Sequence, residues 1–361
     1  MPKLRMTKEG IAEYVRQKIL DGEWKPGSRL PTRLDLEKKL GASTATIQRA
    51  MDQLMEDRFV CTRGRAGTFV SEHLPNRYQI GMVFPPLPQL DQPASRFWNT
   101  LKMQADRLEP DGPIWFRAYH EVTARRGDPN YERLREDIEQ HRLAGLVIMP
   151  MSLGDLQETN LIHHLGLACV AVKTSPVAGV PTVTLGAYVD RVLDEIASKG
   201  RRRLALVYQA TEPMDSVQHP VAQGWFQAAV RRNLETRNYW FLPVHARSPQ
   251  TARVGVNLMM RLPPEDRPDA MIIGDDHLVD CATAGVHDAG VRVPDELEVY
   301  AHCNFPDRPP SCVPVRRVGY DIGKLLTTCL DIIQRQLRGV KVPKVTALQP
   351  VFEEEVTTAG I

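Results

Sequence analysis

The chain contains 361 residues, of which 42% are hydrophobic and 25% are charged. This length exceeds one ordinary domain of about 100 to 200 residues, and the composition excludes a disordered or fibrous chain. A formal net charge of +2 is too small to indicate a polyanion partner. The longest apolar runs fall far short of the roughly 18 to 20 residues that cross a bilayer, and the polar N-terminus lacks a signal-peptide core. We therefore expect a cytoplasmic protein.

Positive charge is concentrated near the N-terminus. Residues 1–74 hold 14 Lys and Arg against 10 Asp and Glu, a net of +4, whereas residues 75–361 hold 32 against 34, a net of −2. A basic segment in an otherwise neutral chain indicates where a nucleic-acid contact should be sought.

The basic segment predicts three helices. Apolar residues at four-residue spacing from Ile11 to Ile19 predict the first helix. Thr32, followed by Asp35 three residues later, predicts the N-cap of the second helix. Ser43 predicts the N-cap of the third, which presents one buried stripe. The residues of that stripe are Ile47, Ala50, Met51 and Leu54.

The face opposite this stripe carries short side chains, an amide and a guanidinium. Such groups reach base edges and phosphates when a helix N-terminus enters a major groove. Two β runs, 59–62 and 68–70, then predict a hairpin whose tip is basic and glycine-rich. Three helices and a hairpin in about 70 residues are typical of a winged helix-turn-helix. The residues of the free face and its flanks are Thr44, Ala45, Thr46, Gln48, Arg49 and Asp52, and those of the tip are Arg63, Gly64, Arg65, Ala66 and Gly67.

This segment resembles the GntR-type DNA-binding domain. The resemblance lies in the runs 27–33, 40–43, 46–50 and 64–70. The chain departs from many members at Leu34 and Thr44, where they have arginine. A solely structural role, capping and solvating a small helical domain, is the alternative for these residues. The DNA contacts that the resemblance implies are Arg33, Ser43, Thr44, Thr46, Gln48 and Gly67, to which the helix flank and the basic tip add Arg49, Arg63 and Arg65.

After a short linker at 75–78, apolar β runs alternate with helical patterns. This alternation predicts βαβ units and parallel sheets, and it restarts after Thr182, which indicates two similar α/β lobes. The predicted strands are 79–84, 114–119, 146–149, 168–172, 204–208, 239–244, 271–274 and 298–302, with a terminal stretch at 345–353. The predicted helices are 96–108, 131–141, 156–165, 188–199, 221–234, 251–262, 278–289 and 320–337.

The second part resembles the LacI/GalR-type effector domain, which is similar to periplasmic sugar-binding proteins. The resemblance covers about residues 79–355 and is carried mainly by the runs 268–277, 290–296 and 315–323. It implies a small-molecule site at the carboxyl ends of the strands, where open α/β folds bind ligands. The fold expected for the whole chain is therefore α/β, an N-terminal winged helix-turn-helix followed by a two-lobed periplasmic-binding-protein-like domain with parallel sheets.

Four residues are candidates for ligand binding. The resemblance implies that Asp276 accepts hydrogen bonds from ligand hydroxyls, and the aromatic rings of Phe97 and Trp98 could stack on a sugar. Asn304 follows the strand at 298–302, where family members carry an acid. Helix capping is the alternative role for Asp276, and core packing is the alternative for both aromatic residues.

Three other family positions differ in chemistry. Val221 replaces an arginine, Cys303 and Asn304 stand where an acid is usual, and Thr184 and Leu185 replace another acid. These changes remove charge-assisted contacts that fix sugar hydroxyls.

Together these patterns predict a transcriptional repressor controlled by a small carbohydrate-related effector. We expect residues 1–74 to bind double-stranded operator DNA and residues 79–361 to bind the effector and form a homodimer. An alternative is a regulator whose effector domain serves only dimerisation or a protein partner. A transporter's solute-binding protein would need an export signal, and an enzyme fusion would need a catalytic lysine or metal constellation. The six scattered cysteines form no zinc pattern. Because no catalytic constellation and no apolar span is present in the sequence either, we expect no catalytic residues, cofactor, metal or membrane partner.

Overall fold

The structure is a computed structural model, and the chain is described over most of its length. The helix predicted at 156–165 lies outside the described residues. No helix within the described part is both long and apolar enough to cross a membrane. The described residues are 6–84, 96–109, 112–123, 127–149, 167–210, 220–245 and 248–356.

Two compact units divide the chain. The first consists of Met1–Pro86, Asp106–Ala171 and Asp331–Val342. The second consists of Leu87–Ala105, Val172–Leu330 and Pro343–Ile361.

The first unit begins with the predicted three helices and hairpin. Thr32 Oγ1 accepts a hydrogen bond from the Asp35 amide, and Asp35 Oδ2 accepts one from the Thr32 amide, so the capping box forms as predicted. Fully buried apolar residues from all three helices, including Ile11, Leu36 and Ile47, make one core. The elements are α1 (Lys8–Leu20), α2 (Arg33–Leu40), α3 (Thr44–Glu56), β1 (Val60–Thr62) and β2 (Thr68–Val70), with a 3-10 turn at Gly64–Ala66.

A parallel sheet follows in the same unit. The segment predicted as a linker forms one helical turn that begins at Pro75. The strands then pair in the order β4-β3-β5-β6, and Ile80 lies opposite both Phe116 and Gly145. The elements are α4 (Pro75–Tyr78), β3 (Gln79–Val83), β4 (Trp115–Tyr119), α6 (Pro129–Glu139), β5 (Gly145–Ile148) and β6 (Ala168–Lys173). Helix α5 (Arg96–Leu108) comes between β3 and β4 in the chain, but its residues up to Ala105 belong to the second unit.

The second unit contains a six-stranded sheet in the order β14-β12-β11-β10-β8-β9. All pairs are parallel except β12 with β14. The parallel pair β7 and β13 belongs to the same unit. The elements are β7 (Thr182–Leu185), α7 (Val189–Ser198), β8 (Leu204–Ala210), α8 (Pro220–Val230), β9 (Phe241–His245), α9 (Gln250–Met260), β10 (Ala270–Ile273), α10 (Val279–Asp288), β11 (Glu298–Phe305), β12 (Arg316–Asp321), α11 (Ile322–Leu337), β13 (Val345–Leu348) and β14 (Val351–Phe352).

Both faces of this six-stranded sheet are buried, which explains the continuous apolar runs of its strands. Met271 and Ile273 of β10 pack with α9 and α10 on one face. Their neighbours Ala270 and Ile272 pack with α7 and α8 on the other. Because β10, β11 and β12 are parallel, their carboxyl ends share one edge of the sheet.

Three local features differ from the sequence expectations. Strand β12 (Arg316–Asp321) is not among the predicted strands, and its residues Tyr320 and Asp321 lie in the segment predicted as the start of a helix at 320–337. Strand β7 was not predicted as a strand, because its four residues between Pro181 and Gly186 are too few to display a period. The strand predicted from Tyr239 begins two residues later, because Asn238–Trp240 forms a 3-10 turn.

Candidate functional sites

The N-terminus of α3 is open to solvent. Ser43 caps it, and Ser43 Oγ accepts a hydrogen bond from the Thr46 amide at 3.3 Å and lies 2.8 Å from Thr46 Oγ1. Thr44, the first helical residue, is exposed. The end of a helix that carries free amides and a partial positive charge favours a phosphate.

One turn further along α3, Gln48 and Arg49 follow on the surface. Gln48 Nε2 donates to Asp52 Oδ1 at 2.5 Å, which orients the amide along the helix. Arg49 is exposed. Arg33 is exposed at the start of α2. Gln48, Arg49 and Arg33 are among the side chains that the sequence predicts for DNA contact. Arg49 and Arg33 are exposed, whereas Gln48 is partly buried.

The hairpin tip adds further positive charge. The Arg63 guanidinium pairs with Glu72 at 2.7 Å and lies 4.8 Å above the Phe69 ring. Arg65 is exposed in the 3-10 turn. Gly67 has φ +106°, a conformation that side chains rarely adopt, so glycine is required there.

Arg29 is a further cation at this tip that the sequence does not single out as a site. It is exposed, and a Cβ added at Gly67 would lie 3.1 Å from its Nε. An isolated bridge joins Arg29 to Phe69. Arg29 lies in the run 27–33 that carries the family resemblance, and that run is the sequence signal that could have indicated this position.

In the second unit, two predicted ligand residues meet at the shared strand edge. Asp276 follows β10 and Asn304 lies near the end of β11. Asn304 Nδ2 donates to Asp276 Oδ2 at 2.8 Å, and both residues are buried. The adjacent Asp275 caps the short 3-10 turn Asp276–Leu278 by accepting from the His277 amide at 2.9 Å. The capping role foreseen for Asp276 therefore belongs to its neighbour.

A group of rings lies beside these carboxylates. The His302 ring is 5.2 Å from that of Tyr188 and 6.0 Å from that of Tyr320. Both tyrosine hydroxyls donate to backbone carbonyls, Tyr188 to Gly274 at 3.1 Å and Tyr320 to Gly186 at 2.5 Å. The sequence does not identify these three residues as site residues. The available signal was weak: His302 ends the strand predicted at 298–302 but lies inside β11, Tyr320 lies near the end of β12, and Tyr188 follows β7 by three residues.

Helix α5 begins next to this site. The Arg96 amide donates to His277 Nε2 at 3.4 Å, and the Arg96 guanidinium pairs with Asp307 at 2.9 Å. Phe97 and Trp98 follow in the first turn of α5, and both are partly exposed. The structure thus brings the start of α5 to the β10 edge, near Asp276.

The electrostatics of the site favour a ligand that donates hydrogen bonds. Burial and the neighbouring charge of Asp276 raise the pKa of Asp275. Burial lowers the pKa of His302, although the carboxylates of Asp276 and Asp275 act in the opposite direction. A neutral imidazole, an amide and two carboxyl groups can together receive several hydroxyl or amino groups.

Three of these residues also have the chemistry of metal ligands. The ligand atoms of Asp275, Asp276 and His277 all lie within 4.8 Å of one another. His277 Nε2 already accepts a hydrogen bond from the Arg96 amide, so a metal bound through that nitrogen would have to displace the bond.

Two protein-family models match the chain. Residues 7–70 match the model of bacterial regulatory proteins of the gntR family. Residues 193–352 match the periplasmic binding protein-like domain. The first match covers the N-terminal helices and hairpin of the first unit, and the second covers most of the second unit.

Curated relatives match in two ways. The arabinose metabolism transcriptional repressor of Geobacillus stearothermophilus is 22% identical over 326 residues, covering 84% of this chain and 83% of that protein. The mannosyl-D-glycerate transport/metabolism system repressor MngR of Escherichia coli (strain K12) is 38% identical over 66 residues. That second match covers 18% of this chain and only 28% of MngR, so it concerns the N-terminal segment alone.

Solved structures share the fold of the second part. A regulatory protein of the LacI family from Chloroflexus aggregans is 18% identical with a TM-score of 0.60, covering 77% of this chain and 97% of that one. A LacI family regulator from Lactobacillus casei with bound glucose is 18% identical with a TM-score of 0.54, covering 76% and 98%. The chain therefore joins an N-terminal gntR-family helix-turn-helix domain to a periplasmic-binding-protein-like domain, and is a DNA-binding transcriptional regulator.

Proposed function

We propose that the protein is a repressor that binds operator DNA through α3 and the hairpin tip. The observation that carries this proposal is the division of α3 into a buried stripe and a free face that begins at an open helix N-terminus. Thr44, Thr46 and Gln48 would reach base edges, while Arg33, Arg49 and the tip arginines would contact phosphates. Ser43 and Gly67 would contribute backbone contacts.

We further propose that a small carbohydrate-related molecule binds beside Asp276. The paired Asp276 and Asn304 would receive hydroxyl groups, and Phe97 and Trp98 would provide ring surfaces. The name of the arabinose metabolism repressor, which matches the chain over most of its length, supports a sugar-related effector. No catalytic step is part of this proposal.

The proposal assigns DNA binding to residues 1–74 and effector binding and dimerisation to residues 79–361, with 75–78 connecting them. Two heads held by a homodimer would bind a pseudo-palindromic site, and the protein would act on DNA in the cytoplasm. Effector binding would lower operator affinity by 5- to 150-fold if the coupling is of the usual size, roughly 1 to 3 kcal/mol.

A footprinting experiment tests the DNA assignment. Replacing Gln48 and Arg49 together with alanine should abolish protection of an operator upstream of the protein's own gene or its neighbours, because both base and phosphate contacts are lost. The matched control is Gln17→Ala with Arg135→Ala. Gln17 makes the same kind of amide-to-carboxylate bond on α1, to Asp21 at 2.8 Å, and Arg135 is exposed on α6. Unchanged protection by the Gln48 and Arg49 variant, with the fold intact, would refute the assignment.

Calorimetry against a panel of sugars and polyols tests the effector assignment. Asp276→Asn should abolish the heat of binding and the release of DNA, because the buried carboxylate is the strongest acceptor in the site. Asp280→Asn, on the exposed side of α10, should keep both. Silence of the wild-type protein against the whole panel, with DNA binding intact, would instead favour a domain that serves dimerisation or a protein partner.

A further inference from the structure

Five ionisable side chains form a largely buried network within the first unit. Arg16 and Asp57 come from the head, defined as residues 6–74. Arg117 lies on β4 of the first sheet, β4-β3-β5-β6, Asp137 lies on the adjoining α6, and Arg142 lies in the segment between α6 and β5. Arg16 is 2% exposed, Asp137 1% and Arg142 9%. Charges are seldom buried to this degree unless they are paired, so these contacts are specific.

The pair Asp57 and Arg142 joins the head to the first sheet. Asp57 Oδ1 lies 2.9 Å from Arg142 Nε, and its other oxygen lies 3.6 Å from Arg16 Nη2. Arg142 Nη1 also binds Asp137 Oδ1 at 2.9 Å. Asp57 therefore lies between one arginine of its own domain and one arginine of the next.

Asp137 keeps Arg142 in place from the other side. Its second oxygen lies 3.1 Å from Arg117 Nη1 and accepts a hydrogen bond from the Tyr119 hydroxyl. Arg16 reaches the same region, because its Nη2 donates to Gln140 Oε1 at 3.3 Å. Every charged group of the network thus has a partner of opposite charge.

An aromatic contact reinforces the same junction. The Arg58 guanidinium lies 4.8 Å above the Trp115 ring of β4. Tyr78 of α4 stacks on the same ring at 6.4 Å, with an interplanar angle of 24°. Arg58 has φ +61°, so the chain turns sharply directly after Asp57. Two consecutive residues of the head therefore contact the first sheet.

The position of Asp57 gives these contacts a consequence for DNA binding. Asp57 is the C-cap of α3, and its amide bonds to the carbonyls of Gln53 and Met55. The junction therefore holds the end of α3 that lies opposite the open N-terminus. Buried ion pairs add little net stability over an apolar contact, but they fix one geometry because other arrangements leave a charge unpaired.

We propose that Asp57 and Arg142 are positioning residues that fix the orientation of α3 relative to the first sheet. The head is thereby docked on the first sheet, and the short segment 75–78 is not a free tether. For its effect on DNA the inference rests on the proposed function. In a homodimer, a docked head accepts one spacing between operator half-sites, whereas a released head accepts several.

The test uses the full-length protein in two arms. The first arm measures amide hydrogen exchange without DNA in Asp57→Asn and Arg142→Gln. Peptides covering residues 54–59 and 136–142 should exchange at least about tenfold faster than in the wild type, because local opening no longer breaks the ion pair. Asp21→Asn, at the exposed C-cap of α1, and Arg135→Gln, on the exposed face of α6, are the matched controls and should stay within twofold.

The second arm compares the affinity for the operator protected in the footprinting experiment with the affinity for the same operator lengthened by 5 base pairs, about half a helical turn, between its half-sites. The wild type should bind the lengthened operator much more weakly than the original one. In both variants, which should still bind DNA, the ratio between the two affinities should be at least fivefold smaller. A merely structural role would lower both affinities equally. Arg142→Gln lies outside the head, so it removes the pair without altering the α3 cap.

The inference would be overturned if both variants exchanged their amides at the wild-type rates. It would also be overturned if the ratio of the affinities for the original and the lengthened operator were the same in both variants as in the wild type. If the wild type binds no DNA sequence specifically, the proposed function fails, and the exchange arm still decides whether the ion pair docks the head.

Discussion

His302 shows how one residue acquires its properties from distant parts of the chain. Its imidazole lies between the rings of Tyr188 and Tyr320, beside Asp275 and Asp276. The sequence places His302 at the end of a predicted strand but says nothing about these neighbours, which come from three separate segments. By contrast, the Asp276 and Asn304 sites could be predicted from their positions after two adjacent strands.

This environment predicts a pH dependence of stability. Burial lowers the pKa of His302 below its ordinary value of 6.5, so the unfolded chain takes up the proton first as the pH falls. The free energy of unfolding should therefore decrease below about pH 6.5, by at most about 1.4 kcal/mol per pH unit for one proton.

Replacement of the imidazole isolates this contribution. His302→Phe keeps a ring between the tyrosines and cannot be protonated, so urea denaturation from pH 7.5 to 5.5 should show a smaller loss than in the wild type. His287→Phe, at an exposed position on α10, should retain the wild-type pH dependence. Equal losses in the wild type and in His302→Phe would contradict the argument.

At the scale of elements, local signals explain what the sequence predicts. The capping residue and apolar stripe of α3 lie within a few turns, and they define its start and buried face correctly. The pairing of Asp57 with Arg142 has no local signature, because the two residues come from different domains far apart in sequence. The helical turn at Pro75–Tyr78 likewise depends on packing around Tyr78 and Trp115 rather than on composition.

The contact between β11 and β12 makes a sharp prediction at this scale. Gly319 lies opposite Cys303, and a Cβ added at Gly319 would lie 1.8 Å from the Cys303 carbonyl oxygen. Gly319→Ala should therefore force the two strands apart and cost about 3 kcal/mol, measured by urea denaturation. It should also weaken any ligand response, because Tyr320 is the next residue.

The control for this prediction is Gly224→Ala on α8, where an added Cβ meets nothing within 4 Å. It should leave stability unchanged or raise it by up to about 1 kcal/mol, since alanine is the better helix former. A Gly319→Ala variant as stable as Gly224→Ala would show that the strands are not held at this distance.

At the scale of the whole molecule, the near-neutral charge averages a basic DNA-binding segment and a slightly acidic remainder. The two family resemblances predict the domain types and their order, because their motifs are local runs of sequence. They do not predict how the head is held, since that depends on buried ion pairs between separate segments. The orientation of α3 is therefore the property that most needs the structure.

The most direct test of DNA-binding regulation is an anisotropy titration of the full-length protein with two duplexes. One carries the region upstream of the gene, and the other carries the same bases in shuffled order. At physiological salt the upstream duplex should bind at least about 1,000-fold more tightly, with affinity falling as salt rises because phosphate contacts release counterions. The Gln48→Ala, Arg49→Ala variant should lose this preference. Equal affinity of the wild type for both duplexes would contradict the account.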